Sequence, residues 1–355
     1  MIQMIVSFIK KIIIVLLMPL SFCWSAFYQI RRFGYEYGLF IQNSFRVPII
    51  SIGNITFGGT GKTPFTLWIA QYLEERNKKV MILMRGYKGS KEKGHGIVLA
   101  DDSKSHDPSK FGDEAIIFGR NLKNARVVVG RNRCANLRHY LDLESPDFIL
   151  LDDGHQHLKL ARNINFCLFD STLPMESYHV APRGYLRESF TSLRKVDAII
   201  LTRCRQVSTQ KIKLLKSKIS KFTDSNIPVA EIDYKTLGFF DSTPQLKLMP
   251  EEIKDKIVIA MAGIASPESF YKTLESLGAR IIKKHTFPDH HNFSSKEIDL
   301  IMKESQDENA VVITTEKDIV KINKFNSCGG ILYLAIAVDF LSGEQDIKSI
   351  VDKGL

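Results

Sequence analysis

One stretch limits what this chain can fold into more than any other: Ser51-Ile-Gly-Asn-Ile-Thr-Phe-Gly-Gly-Thr-Gly-Lys-Thr-Pro64. Before it stands Val47-Pro-Ile-Ile50, an apolar run that reads as a buried strand. After it stands Phe65-Thr-Leu-Trp-Ile-Ala-Gln-Tyr-Leu73, which reads as a helix. Strand, glycine-rich turn, Gly-Lys-Thr and helix in that order form a phosphate-binding loop. Glycines let backbone N–H groups converge on phosphate oxygens, and the helix N-terminus adds partial positive charge. In this reading Thr56, Phe57, Gly58, Gly59, Thr60, Gly61, Lys62 and Thr63 hold a nucleotide. Lys62 reaches the β- and γ-phosphates and Thr63 ligates Mg²⁺. The consensus asks for glycine five residues before Gly61, and this chain has Thr56 there. A glycine-rich turn without a nucleotide is the alternative, and the strand–loop–helix context speaks against it.

At roughly 150 residues per domain, 355 residues suggest two domains. A chain 44% hydrophobic and 25% charged has ample material for a core. The five cysteines are far apart and form no C-x-x-C, which argues against a disulfide framework or a cysteine zinc site and favours a reducing compartment. The net charge of +10 is uneven, since residues 1–50 carry Lys10, Lys11, Arg31, Arg32 and Arg46 against Glu36 alone. That local excess suggests a membrane surface as partner. No arginine-rich helix or basic–aromatic strand pattern points to nucleic acid.

Between Lys11 and Arg31 run 19 residues without charge, Ile12 to Ile30. As a helix they span roughly 28 Å, near the ~30 Å hydrocarbon core. Pro19, Ser21, Ser25 and Gln29 interrupt the run, and Arg31 and Arg32 beside Trp24, Phe27 and Tyr28 resemble an interfacial anchor. No A-x-A cleavage pattern supports a signal peptide, and whether the anchor crosses the bilayer or lies in one leaflet stays open.

Further along, Lys79-Val-Met-Ile-Leu-Met84 reads as a strand ending in Arg85-Gly-Tyr-Lys88, which places Arg85 or Tyr87 on the ligand edge of an open α/β sheet. Gly112-Asp-Glu-Ala115 opens a helix, where the helix dipole alone would favour Asp113 and Glu114. The strand Pro146-Asp-Phe-Ile-Leu-Leu151 runs into Asp152-Asp-Gly-His-Gln-His157. An apolar strand ending in aspartate is the Mg²⁺-holding second motif of phosphate-loop enzymes. Because successive residues on an extended chain point apart, one aspartate would hold the metal while the other polarises a nucleophile or holds the loop. His155 and His157 offer a zinc site as the alternative, but cysteine-free, aspartate-rich surroundings suit Mg²⁺ better. Arg183 and Arg187 follow in a loop and could bind an anionic substrate.

After a Pro/Gly/Ser/Thr-rich stretch at 235–245, strands and helices alternate again in a small parallel α/β pattern. Within it, Phe287-Pro-Asp-His-His-Asn-Phe293 pairs histidines with an acid, the usual general-base arrangement or a surface pair. Thr314-Thr-Glu-Lys-Asp318 fails the GTPase base-reading pattern because Lys317 and Asp318 are adjacent.

Taken together, Gly53-Asn-x-Thr-x-Gly-Gly-Thr-Gly-Lys-Thr-Pro64, Arg85-Gly-Tyr87, Gly112-Asp-Glu114, Asp152-Asp-Gly-x-Gln-His157, Gly184-x-Leu-Arg-Glu188, Phe287-x-Asp-His290 and Thr315-Glu-Lys-Asp318 resemble the tetraacyldisaccharide 4′-kinase family of lipid A synthesis, from the N-terminus to about residue 340. Thr56 then follows the family's own pattern, whereas Ala115 and Tyr185 stand where the family often has proline. The resemblance implies ATP and Mg²⁺, with transfer of the γ-phosphoryl group to the 4′-hydroxyl of a tetraacyldisaccharide 1-phosphate. It implies a place on the cytoplasmic face of the inner membrane and no obligate protein partner. It assigns Asp113, paired with His290, to activate the hydroxyl, and Lys62 and Asp152 to the catalytic centre. It assigns Thr63, Glu114 and Asp153 to the metal, and Tyr87, Gln156 and Arg187 to the substrate. The expected architecture is a P-loop NTPase-type α/β/α domain plus a second, smaller α/β/α domain, with an N-terminal membrane-associated helix. The expected bounds are 1–45 for the anchor, 46–225 for the kinase domain, 226–245 for a linker, 246–331 for the smaller domain and 332–355 for a return strand and C-terminal segment. With Asp113 and His290 assigned to different domains, the dyad is expected to form only on domain closure. The rival reading is a membrane-anchored nucleotide-switch ATPase acting on a protein client, which leaves Asp113 and His290 unexplained.

Overall fold

The computed structural model describes residues 16–100, 102, 107–325 and 328–354. In chain order its elements begin with α1 (Met18–Glu36), β1 (Ile49–Asn54), α2 (Lys62–Glu74), β2 (Val80–Met84), β3 (Gly96–Leu99), α3 (Pro108–Phe111), α4 (Asp113–Asn121), β4 (Arg126–Val129), α5 (Arg133–Glu144), β5 (Phe148–Asp152), β6 (Ile164–Asp170) and β7 (Ala198–Thr202). They continue with α6 (Thr209–Ile219), β8 (Val229–Phe240), β9 (Leu246–Leu248), β10 (Ile257–Ala262), α7 (Pro267–Ser276), β11 (Arg280–Thr286), α8 (Ser295–Asp307), β12 (Val311–Thr315), α9 (Glu316–Ile322), β13 (Leu332–Ser342) and α10 (Glu344–Asp352). The described residues pack as two compact units, one from Met1–Lys62, Ile149–Asp233 and Phe340–Leu355, the other from Thr63–Phe148 and Tyr234–Asp339.

In the first unit β7, β6, β1 and β5 lie side by side and parallel, with β8 beside β7. Every residue of β1, β5, β6 and β7 is buried, as expected of parallel strands covered on both faces. Ile212, Leu215 and Ile219, at helical spacing, turn one face of α6 into a core with Phe169, Phe190 and Leu201. Register fixes the ligand edge. Ile52 of β1 pairs with Asp152, the last residue of β5, so the aspartate pair stands beside the exit of β1 into the glycine-rich loop.

α1 starts with Pro19 in its first turn, where a missing N–H costs nothing. It runs past Ile30, where the uncharged stretch ends, to Glu36, within the expected bounds of the anchor. Arg31 and Arg32, read from sequence as an interfacial pair, bind protein instead: Arg31 Nη1 donates to the Gln156 carbonyl (3.0 Å) and Arg32 Nε to Glu188 Oε2 (2.5 Å). Trp24 Nε1 donates to the Arg187 carbonyl at 2.9 Å. α1 also leaves Leu20, Phe22, Phe27, Ile30 and Phe33 exposed. Among the described residues no helix is long and apolar enough to cross a membrane. Residues 1–15 of the expected anchor lie outside the described residues.

In the second unit β2 and β3 flank β4, parallel and antiparallel respectively. β11, β10, β12 and β13 form a parallel set in that order. Tyr271 and Leu274 of α7 pack on Val258, Ala260 and Ile313. Asn121 at the end of α4 donates to Glu316 Oε1 at the start of α9 (2.6 Å), and Arg120 Nη2 donates to the Ser242 carbonyl (3.0 Å). The stretch 226–245, read as a linker, is largely strand: β8 continues to Phe240 because Phe239 is fully buried and β9 pairs with its end.

Candidate active site

The glycine-rich loop leaves β1 in two halves. In the first, Ile55 to Phe57 is extended: the Phe57 N–H donates to the Tyr185 carbonyl (2.7 Å), the Arg187 N–H donates to the Ile55 carbonyl (2.7 Å), and Thr56 bridges Leu186. A buried, β-branched residue suits an extended bridge, which is why Thr56 replaces the consensus glycine. Asn54 Nδ2 donates to Thr60 Oγ1 (2.9 Å) and ties the loop's ends together. In the second half Gly58 (φ +97°) and Gly61 (φ +80°) adopt left-handed backbone that side chains resist, and nothing stands where a Cβ at Gly58 or Gly59 would be. The result is an open rim of backbone leading into Lys62, the first residue of α2, and Thr63, the second. Gly53 answers a different need: a Cβ there would lie 2.5 Å from the His155 backbone nitrogen.

Asp152 is buried at the end of β5. Asp153 follows in left-handed backbone (φ +48°), a conformation that costs a non-glycine residue on the order of 1–2 kcal/mol. Its carboxylate meets two cations, Lys62 Nζ at 3.3 Å and Arg187 Nη1 at 3.2 Å. Arg187 also lies over the Phe57 ring. Gln156 Nε2 donates to the Asn54 carbonyl (2.8 Å), so it braces the loop from below. His155 is fully buried, its ring 3.3 Å from Ser192 Oγ, and burial together with the Arg32, Arg162 and Arg187 charges holds it well below the usual histidine range. Among the described residues no group of three or more His, Cys, Asp or Glu converges as a metal cluster, so the zinc alternative finds no support.

The second group of side chains forms inside the second unit. Gly112 precedes α4, and Asp113, its first residue, is 5% exposed. His290 Nδ1 stands 2.9 Å from Asp113 Oδ2. Asp113 and His290 thus meet within one compact unit, and the dyad does not await closure of two domains, as the sequence had suggested. Burial pushes the Asp113 carboxyl up, but the His290 hydrogen bond and the Lys317, His290 and Lys321 charges outweigh it and hold the carboxyl below its ordinary value. Like Asp153, His290 is left-handed (φ +59°), and its N–H donates to the Gly263 carbonyl (3.2 Å). The Tyr87 ring meets the His290 ring edge-on at 5.3 Å, with Arg85 5.8 Å from the Tyr87 ring. Glu114, the second residue of α4, reaches Lys317 at 3.9 Å. An open cleft is lined by Tyr87, Lys88, Asp113, His290, Lys321 and Lys324 among others.

Sequence reading missed Lys317. Its Nζ stands 3.2 Å from His290 Nε2, 3.5 Å from Asp289 Oδ1 and 3.9 Å from both Asp113 Oδ2 and Glu114 Oε1. Burial lowers its proton affinity, but the carboxylates of Glu114, Asp113 and Asp289 prevail and raise it. The only local signal was its place in Thr315-Glu-Lys-Asp318, read as a nucleotide-base motif that failed.

The chain is similar to known proteins along nearly its whole length. The sequence profile of the family described as Tetraacyldisaccharide-1-P 4'-kinase matches residues 13–355. The Tetraacyldisaccharide 4'-kinase of Halothermothrix orenii is 31% identical, over 98% of this chain and 94% of the relative. That of Desulfotalea psychrophila is 34% identical, over 86% of this chain and 87% of the relative. Among solved structures, an "apo" form of LpxK from Aquifex aeolicus in complex with ATP superposes with a TM-score of 0.76 at 26% identity, covering 96% of this chain and 99% of that one. A phosphate loop, two carboxylate pairs and a family match along nearly the whole chain lead to one conclusion: the chain belongs to the tetraacyldisaccharide-1-P 4'-kinase family.

Proposed function

We propose that this chain transfers the γ-phosphoryl group of ATP to the 4′-hydroxyl of tetraacyldisaccharide 1-phosphate, with Asp113 taking the hydroxyl proton. The contact that carries the reading is Asp113 Oδ2 to His290 Nδ1 at 2.9 Å. A carboxylate kept ionised at a helix start and steadied by an imidazole N–H is a general base for an alcohol. His290 orients the acceptor oxygen of Asp113 and stabilises its charge until the proton arrives.

Lys62 and the loop backbone would hold the phosphates of ATP, the nucleotide bound in the Aquifex structure. Thr63, Asp153 and Glu114 offer oxygen donors only, which fits Mg²⁺, a cation that takes few protein ligands and completes its shell with phosphate and water. When bound, Mg²⁺ would neutralise charge developing on the transferred phosphoryl group. Arg187 and Tyr87 would hold the acceptor, while Gln156 would act through the loop it braces. Asp152, at the end of β5 and in register with Ile52, would set the loop and its neighbour Asp153 in place.

The exposed apolar side of α1, with Phe22 at 75% and Ile30 at 68%, is a surface for the acyl chains and the bilayer that holds them. An acceptor that stays in the membrane requires an enzyme at its surface, and the cytoplasmic face supplies the ATP.

The test is transfer of label from γ-³²P-ATP to tetraacyldisaccharide 1-phosphate in detergent micelles. Labelled lipid from the wild type and a loss of at least about a hundredfold in Asp113→Ala is expected. A folded, ATP-binding wild type that labels no lipid would overturn the proposal in favour of a nucleotide switch.

A further inference from the structure

The basic helix α6 takes no part in the reaction described so far. Two of its lysines are tied up within the first unit: Lys211 Nζ donates to the Thr172 carbonyl (2.9 Å) and Lys216 pairs with Glu231 (2.6 Å). Lys218 meets no carboxylate. Its Nζ stands 3.5 Å from the Tyr178 carbonyl and over the Tyr178 and Phe190 rings, at 5.5 and 5.2 Å.

The loop after Tyr178 brings two more cationic side chains to the same place. The Leu186 N–H donates to the His179 carbonyl (2.9 Å), and a Cβ at Gly184 would lie 2.8 Å from the His179 Cβ. His179 is thus packed against the turn that carries Arg183. Burial and the charges of Arg183 and Lys218 hold the His179 imidazole below its ordinary value, and no acid opposes them. Of the acids in this loop, Glu188 is bound by Arg32, and Glu176 forms no ion pair with the three among the described residues. Arg183 Nε is buried without an acceptor among the described residues. Arg187, read from sequence beside Arg183 as a binder of anions, turns to Asp153 instead. Three basic groups gathered without an acid repel one another, and an anion would relieve that repulsion.

The surroundings of the cluster narrow the anion. The Arg183 N–H donates to Ser21 Oγ of α1 (3.1 Å), so the cluster borders the turns of α1 that expose Leu20 and Phe22. Leu214, four residues before Lys218 and therefore on the same face of α6, is exposed as well. Exposed apolar side chains beside basic ones without acid partners match a bilayer boundary, where the first reach acyl chains and the second reach phosphates.

We infer that Arg183, Lys218 and His179 form a site for the phosphate of an anionic membrane phospholipid, distinct from the acceptor lipid. The site adds headgroup recognition to the apolar hold of α1 and sets the level of the first unit at the bilayer surface. The inference rests on the reading of α1 as the face turned to the bilayer, and the two fail in different ways.

The experiment measures partitioning of the full-length protein onto vesicles of phosphatidylcholine alone and of phosphatidylcholine mixed with phosphatidylglycerol. The wild type is expected to bind the mixed vesicles at least about tenfold more tightly. Arg183→Gln and Lys218→Gln each lose about fivefold of that gain and bind the neutral vesicles as the wild type does. Lys218→Arg keeps the gain. Lys303→Gln removes the same charge from an exposed position in the second unit and keeps the gain within about twofold. An equal loss in Lys303→Gln would reduce the effect to net charge and overturn the inference, as would a full gain in both Arg183→Gln and Lys218→Gln. The phosphate of the acceptor is the other source, and initial rates in neutral detergent micelles separate it. There Lys218→Gln is expected to keep KM for tetraacyldisaccharide 1-phosphate within about twofold. A raised KM with mixed-vesicle binding intact would assign the site to the acceptor and refute the inference. Wild type that binds neither kind of vesicle would refute the reading of α1 and this site together, whereas tight binding blind to the headgroup refutes the site alone.

Discussion

The chain carries two adjacent carboxylate pairs, Asp113–Glu114 and Asp152–Asp153, and they are built on one plan with different ends. In each the first residue is buried, at 5% and 4% exposure, and the second reaches out to cations. They differ in what holds the acid. Asp153, half-exposed at a strand end, is met by the charged side chains of Lys62 and Arg187 at 3.3 and 3.2 Å. Asp113 sits at a helix start and is met by the His290 imidazole at 2.9 Å, with Lys317 farther off at 3.9 Å. Charge–charge contacts suit a group that binds, whereas an oriented hydrogen bond to a buried acid suits a group that moves a proton. Similar sequences, Asp-Glu and Asp-Asp, thus acquire different chemistry from the element that ends or begins beside them.

If the comparison holds, damage to the two pairs should separate kinetically. His290→Ala is expected to lower kcat about 10²- to 10³-fold while KM for ATP stays within about twofold, measured by initial rates of lipid labelling. Arg187→Met removes one of the two cations on Asp153 and a group assigned to the acceptor, and its expected mark is the reverse: KM for ATP and for the lipid rises about tenfold with a smaller change in kcat. Equal losses of kcat in both variants would erase the distinction between the pairs.

Two stability effects are smaller and test the frames around the pairs. Gly53→Ala drives a Cβ to within 2.5 Å of the His155 backbone, and overpacking of this kind costs about 1–3 kcal/mol in a denaturant titration. A fully stable variant would show that the turn after β5 can retreat from β1. Glu316 links α4 to α9. Burial raises its carboxyl above the ordinary value, and the Asn121 hydrogen bond and Arg120 charge only partly oppose this. The folded state therefore holds this proton more tightly than the unfolded chain, and stability declines as pH rises from about 4.5 toward the raised folded value. Glu316→Gln cannot ionise, so that decline should flatten, with a gain of about 2 °C in Tm at pH 7.5 relative to pH 4.5. An unaltered slope would assign the pH dependence to other groups.

How much of this could be read without coordinates differs between the pairs for the same reason. The phosphate loop and Asp152–Asp153 are local patterns: apolar strands, a glycine turn, an acid at a strand end. Periodicity and motif spacing find them. Thr56 departs from the loop consensus; the resemblance already made it the family's own pattern, and the bridge to Leu186 supplies the physical reason. Asp113 carried no such signal, because acids at a helix start are common, and His290 was one of two adjacent loop histidines. Only the resemblance joined them, and the expectation that they lie in different domains failed because packing, not chain order, sets which segments share a unit. Lys317 was out of reach for the same reason, since it follows β12 and meets Asp289 and His290, which follow β11, through the order of β11, β10 and β12. Likewise 235–245 looked loop-like in composition, but burial of Phe239 draws its first part, as far as Phe240, into β8.

The most direct test sets Asp113→Asn beside Asp153→Asn, with ATP affinity and single-turnover phosphoryl transfer measured on each. The division of labour predicts that Asp113→Asn binds ATP as the wild type does and transfers about 10²- to 10⁴-fold more slowly, while Asp153→Asn shows a changed ATP affinity as well. Wild-type transfer by Asp113→Asn, or a loss of ATP binding large enough to explain its defect, would contradict the assignment of Asp113 as the base.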